Sequence, residues 1–411
     1  MTATALQQEE HLPEAIVCKW CGKSFHYLKS HISMGRCENI PESAKGLDVD
    51  EVVKMYTSAF PDEPTISRTA LAKLNEKRAE KHSGEGKVAE ISAHPGYAGA
   101  VEYKTELVAA HELLGVTIKE LGTPRGKPLQ VTVNVNTPYP EFVPEAKKNY
   151  VYGDFDLIKD IFMMLEIGIP GYLWGHAGTG KSSLPTQLCA LLNRPLIRAQ
   201  HTASMEEAHV TGQILARDGS TYFEPGLLAL AMKNGWVYLA DEYDFAFPQI
   251  LGVYQPVLEG EPLIIKEATP DWRRITPHKR FAFIGTGNTN GSGDETGLYQ
   301  GTNIQNAANF SRFGIVSNVK YMSTKAEVNM LAEAGVFREY AEKMVKFANL
   351  VREGYEQHLI SQPIGPRELL LSAKIGMMRG DFSAGIEKSF INKLPSTSAQ
   401  AAREVVQKIF G

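Results

Sequence analysis

The 411-residue sequence predicts an α/β fold: a parallel sheet flanked by helices, a C-terminal helical lid, and a small metal-held segment at the N-terminus. Three observations carry this. Between about 150 and 320, short apolar runs end in glycine-rich or acidic turns and alternate with amphipathic helices, the texture of a parallel sheet. Beyond about 321, apolar residues recur three and four apart in Lys325 to Leu331, Val336 to Gly354 and Pro366 to Met378, as in helices that bury one face. Cys18, Cys21 and Cys37 crowd the first 45 residues, and only Cys189 lies elsewhere.

Composition bounds the function. The length suggests two to three domains at roughly 150 residues each. With 43% hydrophobic and 22% charged residues, the chain has material for a sizeable core, which argues against a mostly disordered protein. The net charge of −4 lacks the basic excess of a dedicated nucleic-acid binder. No apolar run reaches the roughly 18 residues that span a bilayer; the best candidate, Gly226 to Ala240, is interrupted by Lys233 and Asn234. The opening residues lack the basic start and apolar stretch of a secretory signal, so a cytoplasmic protein without membrane association is expected. Four cysteines make no disulfide scaffold, and no repeat at a solenoid period occurs.

Residues 1–45 read as a zinc-finger-like segment. Cys18-Lys19-Trp20-Cys21 begins like a zinc knuckle, and His31 and Cys37 complete C-x₂-C-x₉-H-x₅-C. Two cysteines on a tight turn, with His and Cys on a following helix, offer a tetrahedral N/S set for Zn²⁺. Phe25 and Leu28 sit where a finger buries its small core, and the nine-residue gap resembles the bacterial Ros-type finger. His26 competes as a ligand and could replace Cys37. The segment is not strongly basic, which favours protein docking over nucleic acid. Residues 46–92 read as a helical linker: Leu71 to Lys81 is a charged helix former, and Ser83 to Gly86 a flexible break. Residues 93–149 form a mixed α/β region, with Leu129 to Val135 alternating as a half-buried strand.

The core, 150–320, opens on strand-like Gly171-Tyr172-Leu173-Trp174, followed by Gly175-His176-Ala177-Gly178-Thr179-Gly180-Lys181-Ser182. This fits G-x-x-x-x-G-K-[ST] in full. Glycines let the backbone curl so that N–H groups point at phosphate oxygens, and the following helix, with Ser183 in its first turn, adds its dipole. Lys181 is expected on the β- and γ-phosphates of ATP and Ser182 on Mg²⁺. His176 reads as a solvent-facing variable position and Cys189 as helix core.

Three further elements complete the reading. Trp236 to Ala240 is an apolar strand ending in Asp241, for the Mg²⁺ shell, and Glu242, to deprotonate the attacking water. Phe281 to Thr286 runs into Gly287-Asn288-Thr289-Asn290, where Asn288, or failing it Asn290, reaches the γ-phosphate. Arg312, between aromatics, and Arg367, in a helix's first turn behind Pro366, fit an ATPase completed by a neighbour's arginine. Trp272-Arg273-Arg274 reads as a solvated loop rather than a DNA-facing patch.

This set resembles the AAA+ superfamily. Within it, the stretches Gly175 to Ser182, Leu239 to Asp244, Gly285 to Thr289 and Gly293 to Thr302 are most similar to the CobS-like group, the ATPase subunit of aerobic cobaltochelatase, beside the MoxR group. The resemblance covers roughly 150–411, with the helical lid at 321–411. It implies a ring, of six subunits, with ATP at the interfaces and a von Willebrand-like (CobT-type) partner. By position it makes Lys181 and Ser182 the phosphate and Mg²⁺ ligands, Asp241 the magnesium-shell acid and Glu242 the catalytic base. Asn288 becomes the first sensor, Arg312 a finger acting in trans, and Arg367 the second sensor. Gly212 to Gly226 resembles the hairpin inserted in this clade, and Arg217 to Ser220 also suits a hairpin turn. Two readings of the motor stay open: cobalt insertion into a corrin ring, or a MoxR-like chaperone, a phage-encoded one included, acting on a protein or nucleoprotein client.

Overall fold

The computed structural model describes residues 13–34, 36–45, 47–61, 63–70, 102–217 and 219–411. The chain divides into two compact units, Met1–His94 and Pro95–Gly411.

In the first unit, β1 (Ile16–Val17) pairs antiparallel with β2 (Ser24–Phe25), and α1 (Leu28–Ser33) follows. The turn between the strands closes through Cys18 N–H on Lys23 O at 2.9 Å and Gly22 N–H on Cys18 O at 2.8 Å. Helix α2 (Val49–Ala59) lies inside the stretch expected as linker, yet it packs in the finger's core. Val52 and Tyr56 join Ile16, Phe25, Leu28 and Ile32, and the Tyr56 hydroxyl accepts from the Lys19 N–H at 3.0 Å. The charged run Leu71 to Lys81 and the break at Ser83 to Gly86 lie outside the described residues.

The second unit begins with a hairpin, β3 (Thr105–Ala109) on β4 (Gln130–Asn134), with α3 (Ala110–Leu114) between. It is tied to the core by reciprocal bonds between the side-chain amides and carbonyls of Asn134 and Asn193, at 2.8 and 2.9 Å. Then come α4 (Phe155–Ile167), β5 (Gly171–Trp174), α5 (Ser183–Leu191), β6 (Leu196–Gln200) and α6 (Glu207–Thr211). Strands β7 (Gly212–Arg217) and β8 (Ser220–Pro225) make the expected hairpin, followed by α7 (Leu227–Asn234) and β9 (Val237–Asp241). A two-stranded piece, β10 (Leu263–Ile264) with β11 (Arg274–Ile275), precedes β12 (Ala282–Gly287) and β13 (Ile315–Asn318).

Five of these strands form the predicted parallel sheet, in the order β13-β5-β12-β9-β6. Alternation sorts their side chains into two cores. Tyr172, Tyr238 and Phe283 pack on one side with Leu228 and Met232 of α7. Leu173, Leu239 and Ile284 pack on the other with Ile158, Ile161 and Phe162 of α4 and Leu188 of α5. Both faces are covered, so the strands read as continuous apolar runs. Cys189 is buried in the second core, as expected.

The lid consists of α8 (Thr324–Glu333), α9 (Arg338–Glu356), α10 (Pro366–Arg379), α11 (Phe382–Ser389) and α12 (Ser396–Phe410) around Leu331, Phe347, Leu369 and Ile386. The first three match the expected helices; α11 and α12 were not foreseen. One expectation fails here: Trp272 is no solvated loop residue. It is 7% exposed in the core beside β11, and Lys233 Nζ lies 3.9 Å from its ring centroid. The gain from burying the indole outweighs solvation of the two arginines that follow it. No helix among the described residues is long and apolar enough to cross a membrane.

Candidate nucleotide site

The loop between β5 and α5 turns on Gly178 (φ +80°) and Gly180 (φ +103°), backbone states that side chains with a Cβ rarely adopt. Lys181 is folded back over it. Its ammonium donates to Gly175 O at 2.8 Å, His176 O at 2.9 Å and Asn288 Oδ1 at 3.1 Å. Burial holds the ammonium down, to about 8, against the pull of Asp244, Asp241 and Glu242. Asn288, at the tip of β12, is thus the amide that meets the loop. Asn290 turns back to accept from the Ser292 N–H at 3.1 Å.

Asp241, 3% exposed at the end of β9, accepts at Oδ1 from the hydroxyls of Ser182 and Thr286. Burial pushes its carboxyl up, but these bonds and the Arg198 guanidinium hold it below the usual aspartate range. Arg198, on β6, donates from Nε to Asp241 Oδ2 at 2.6 Å. Glu242 follows with φ +53°, an uncommon state for a residue with a side chain, and its N–H donates to Thr286 Oγ1 at 3.2 Å. Its carboxylate accepts from Gln200 Nε2 at 2.5 Å. Partial burial, then the negative charges of Asp241 and Asp244, push the Glu242 carboxyl up. Asp244, fully buried, accepts at Oδ2 from the N–H groups of Asn288 and Thr289, at 2.8 and 2.9 Å, which fixes the loop after β12 to the acidic strand.

Arg367 enters from the lid. A Cβ placed on Gly178 would lie 3.4 Å from the Arg367 Cβ, and one placed on Gly365 would lie 2.7 Å from Ala177 O. Only glycine lets the lid helix approach the loop this closely. Arg312 does not join the set: its Nε donates to Glu259 Oε1 at 2.7 Å and its Nη1 to Ala308 O. The structure therefore brings together Gly175 to Ser183, Asp241, Glu242, Asn288 and Arg367. Hydroxyl and carboxylate oxygens, from Ser182 and Asp241, suit a hard cation such as Mg²⁺.

His176 departs from expectation. Its ring is half-buried rather than solvent-facing, with Nδ1 2.9 Å from the Tyr299 hydroxyl. That hydroxyl also accepts from the Ala177 N–H at 3.1 Å. The reason is the loop Gly293 to Thr302: Asp294 accepts from Thr296 N–H at 2.9 Å and Tyr299 N–H at 2.7 Å, curling Tyr299 onto the phosphate loop. A groove of about 490 Å³ lies alongside, lined in part by His176, Tyr299, Tyr321 and Tyr355. Arg198, Gln200, Asp244 and Thr286 were missed as site residues. The alternation of β6 places Arg198 and Gln200 on one face, but their partners are some 40 residues away in sequence.

The N-terminal unit holds a second cluster. One ligand atom from each of Cys18, Cys21, His31 and Cys37 lies within 4.8 Å of all the others. Cys18 and Cys37 sulfurs are 3.7 Å apart, and Cys21 Sγ is 3.3 Å from His31 Nε2. Two thiolates on one tetrahedral zinc lie about 3.8 Å apart, and a thiolate and an imidazole nitrogen about 3.5 Å, so the set fits Zn²⁺. Burial keeps His31 down, in the neutral form a ligand needs. His26 is not part of the cluster; its Nδ1 lies 3.0 Å from Ser67 Oγ.

Comparison with known proteins agrees with this geometry. Residues 172–302 match the AAA domain of the dynein-related subfamily. The aerobic cobaltochelatase subunit CobS of a Sinorhizobium species is 32% identical over 249 residues, covering 58% of this chain and 74% of CobS. An uncharacterized protein of Staphylococcus aureus (strain NCTC 8325 / PS 47) is 23% identical over 62% of this chain and 96% of its own length. A solved RuvB variant of Thermotoga maritima covers 62% of this chain and 71% of its own, at 12% identity and TM-score 0.38. With the motif loop Gly175 to Ser182, an acidic strand end and the Asn288 amide converging on one parallel sheet, and this degree of identity to CobS over most of its length, the chain belongs to the AAA ATPase family that includes CobS.

Proposed function

We propose that the chain is an ATP-hydrolysing remodelling motor that works as a ring of six copies with a CobT-type partner. The observation that carries this is the split in the arginines. Arg367 meets the chain's own phosphate loop, whereas Arg312 is paired with Glu259. A site complete except for one transition-state cation is what a neighbour's Arg312 would finish.

In this reading Lys181 and the loop N–H groups hold the phosphates of ATP. Ser182 and Asp241 would hold Mg²⁺, which would supply positive charge to the phosphates. Arg198 keeps the Asp241 carboxylate ionised for that role. Asn288 orients the attacking water, and Glu242, its basicity raised by burial and neighbouring carboxylates, takes the water's proton. Arg367 and the neighbour's Arg312 stabilise charge on the transferring phosphoryl group. Cys18, Cys21, His31 and Cys37 hold one Zn²⁺ per chain, and the finger docks the client.

The client of the finger is a protein rather than nucleic acid. Three of its lysines are paired with acids: Lys19 with Glu63 at 2.7 Å, Lys45 with Glu42 at 2.5 Å, and Lys23 with Glu38. Cobalt insertion into a corrin ring is the reading that the CobS likeness supports; a MoxR-like action on another client is the alternative. Lys181→Ala should abolish ATP binding in equilibrium titrations, and wild-type affinity in that variant would refute the site. Capture of partners on Glu242→Gln protein separates the clients, since a corrin-chelatase large subunit is expected only under the first.

A further inference from the structure

His176 stands at an unspecified position of the phosphate-loop motif, yet its ring is half-buried. It lies parallel to Tyr321, with centroids 5.8 Å apart and planes 2° apart, and edge-on to Tyr355. Tyr321 belongs to the segment that leaves β13 for the lid. Its ring also carries the Arg352 guanidinium, 4.0 Å from the centroid. Arg352 donates from Nε to Ile364 O at 3.0 Å, and Gly365, Pro366 and Arg367 follow directly. A continuous set of contacts therefore joins the phosphate loop to Ile364, three residues before Arg367. Arg352 is itself fixed by a two-bond pair to buried Glu327, both bonds at 2.8 Å.

Ring stacking and cation–π contact hold flat groups at set distances, with little freedom to slide. We propose that Tyr321 and His176 are positioning residues, whose stack with Arg352 fixes Arg367 against the phosphate loop. The inference rests on reading Arg367 as a nucleotide-contacting residue. Its consequence is that the Tyr321 ring matters to turnover only through Arg367.

The test is steady-state ATP turnover of full-length Tyr321→Leu, Tyr321→Phe, Arg367→Ala and the Tyr321→Leu/Arg367→Ala double variant. Tyr321→Leu should lower kcat/KM by between about twofold and about thirtyfold, the range that coupling residues span. Tyr321→Phe, which keeps the ring, should restore it. In the Arg367→Ala background the Tyr321→Leu effect should vanish. Additive losses, or a Tyr321→Phe variant as impaired as Tyr321→Leu, would overturn the proposal. Wild-type kinetics in Arg367→Ala would instead overturn the nucleotide-contact reading beneath it. Should Tyr321→Leu fold poorly, His176→Ala carries the same cycle from a half-exposed position, with the same two outcomes.

Discussion

Replacing Arg352 by methionine should destabilise the lid more than any surface change. The arginine makes two 2.8 Å bonds to Glu327, whose side chain is 0% exposed, while its own is 11% exposed. Methionine keeps the apolar stem and removes the charge, so the Glu327 carboxylate loses its cation inside the core. Breaking a buried pair from one side costs about 3–5 kcal/mol. At the low end of that range, the melting midpoint of the unit Pro95–Gly411 should fall by about 4–5 °C, given roughly 2.1 cal/mol/K of unfolding entropy per residue. Replacing both partners, as Glu327→Leu/Arg352→Met, should recover most of the loss, because an apolar pair needs no solvation. Scanning calorimetry of the two single variants and the double variant measures the cycle. A midpoint for Arg352→Met within about 1 °C of wild type would refute the reasoning, as would a double variant no more stable than the single.

Other consequences follow from the same structure. Chelation should unfold the finger, since metal binding supplies its folding free energy, and leave the ATPase unit folded; elemental analysis should find one zinc per chain, and metal-free protein with reactive Cys18, Cys21 and Cys37 would contradict this. Burial pulls His201 down to about 4, from an ordinary value of 6.5. The unfolded chain therefore takes up this proton first, so stability is whole above pH 6.5 and is lost as pH falls towards 4, by up to about 3 kcal/mol. Melting midpoints of wild type should then drop more steeply between these pH values than those of His201→Gln, and parallel slopes would contradict it. Mixing Arg312→Ala with Glu242→Gln subunits should restore some ATPase activity, because some interfaces then pair an intact arginine with an intact base; a monomer with full turnover by light scattering would exclude a trans arginine.

Much of the site was legible because its chemistry is local in sequence. Gly175 to Ser182 carries the glycines and lysine of a phosphate-binding loop within eight residues. The acid pair Asp241-Glu242 and the amide Asn288 each stand at the end of an apolar strand, where a parallel sheet gathers its loops. What sequence could not supply were contacts set by tertiary packing. Arg198 and Gln200 read as ordinary exposed positions of an edge strand until β6 is laid beside β9, with Gln200 opposite Asp241. His176 looked variable because its partners, Tyr299 and Tyr321, lie more than 120 residues downstream. Trp272, followed by two arginines, gave no sign of the core that buries it. Helix α2 read as linker because its apolar positions face the finger, a partner visible only in the fold. At the N-terminus the C-x₂-C-x₉-H-x₅-C spacing was enough to predict the cluster, but the choice between His26 and Cys37 needed Ser67, 41 residues away from His26.

The central claim is that this site hydrolyses ATP with Glu242 as the base. Glu242→Gln keeps the shape of the side chain and removes its ability to accept the proton from water. Equilibrium ATP binding and single-turnover hydrolysis, measured on the same preparation, test it most directly. The variant should bind ATP as tightly as wild type and hydrolyse it at least about a hundredfold more slowly. Wild-type hydrolysis by folded Glu242→Gln protein would contradict the account.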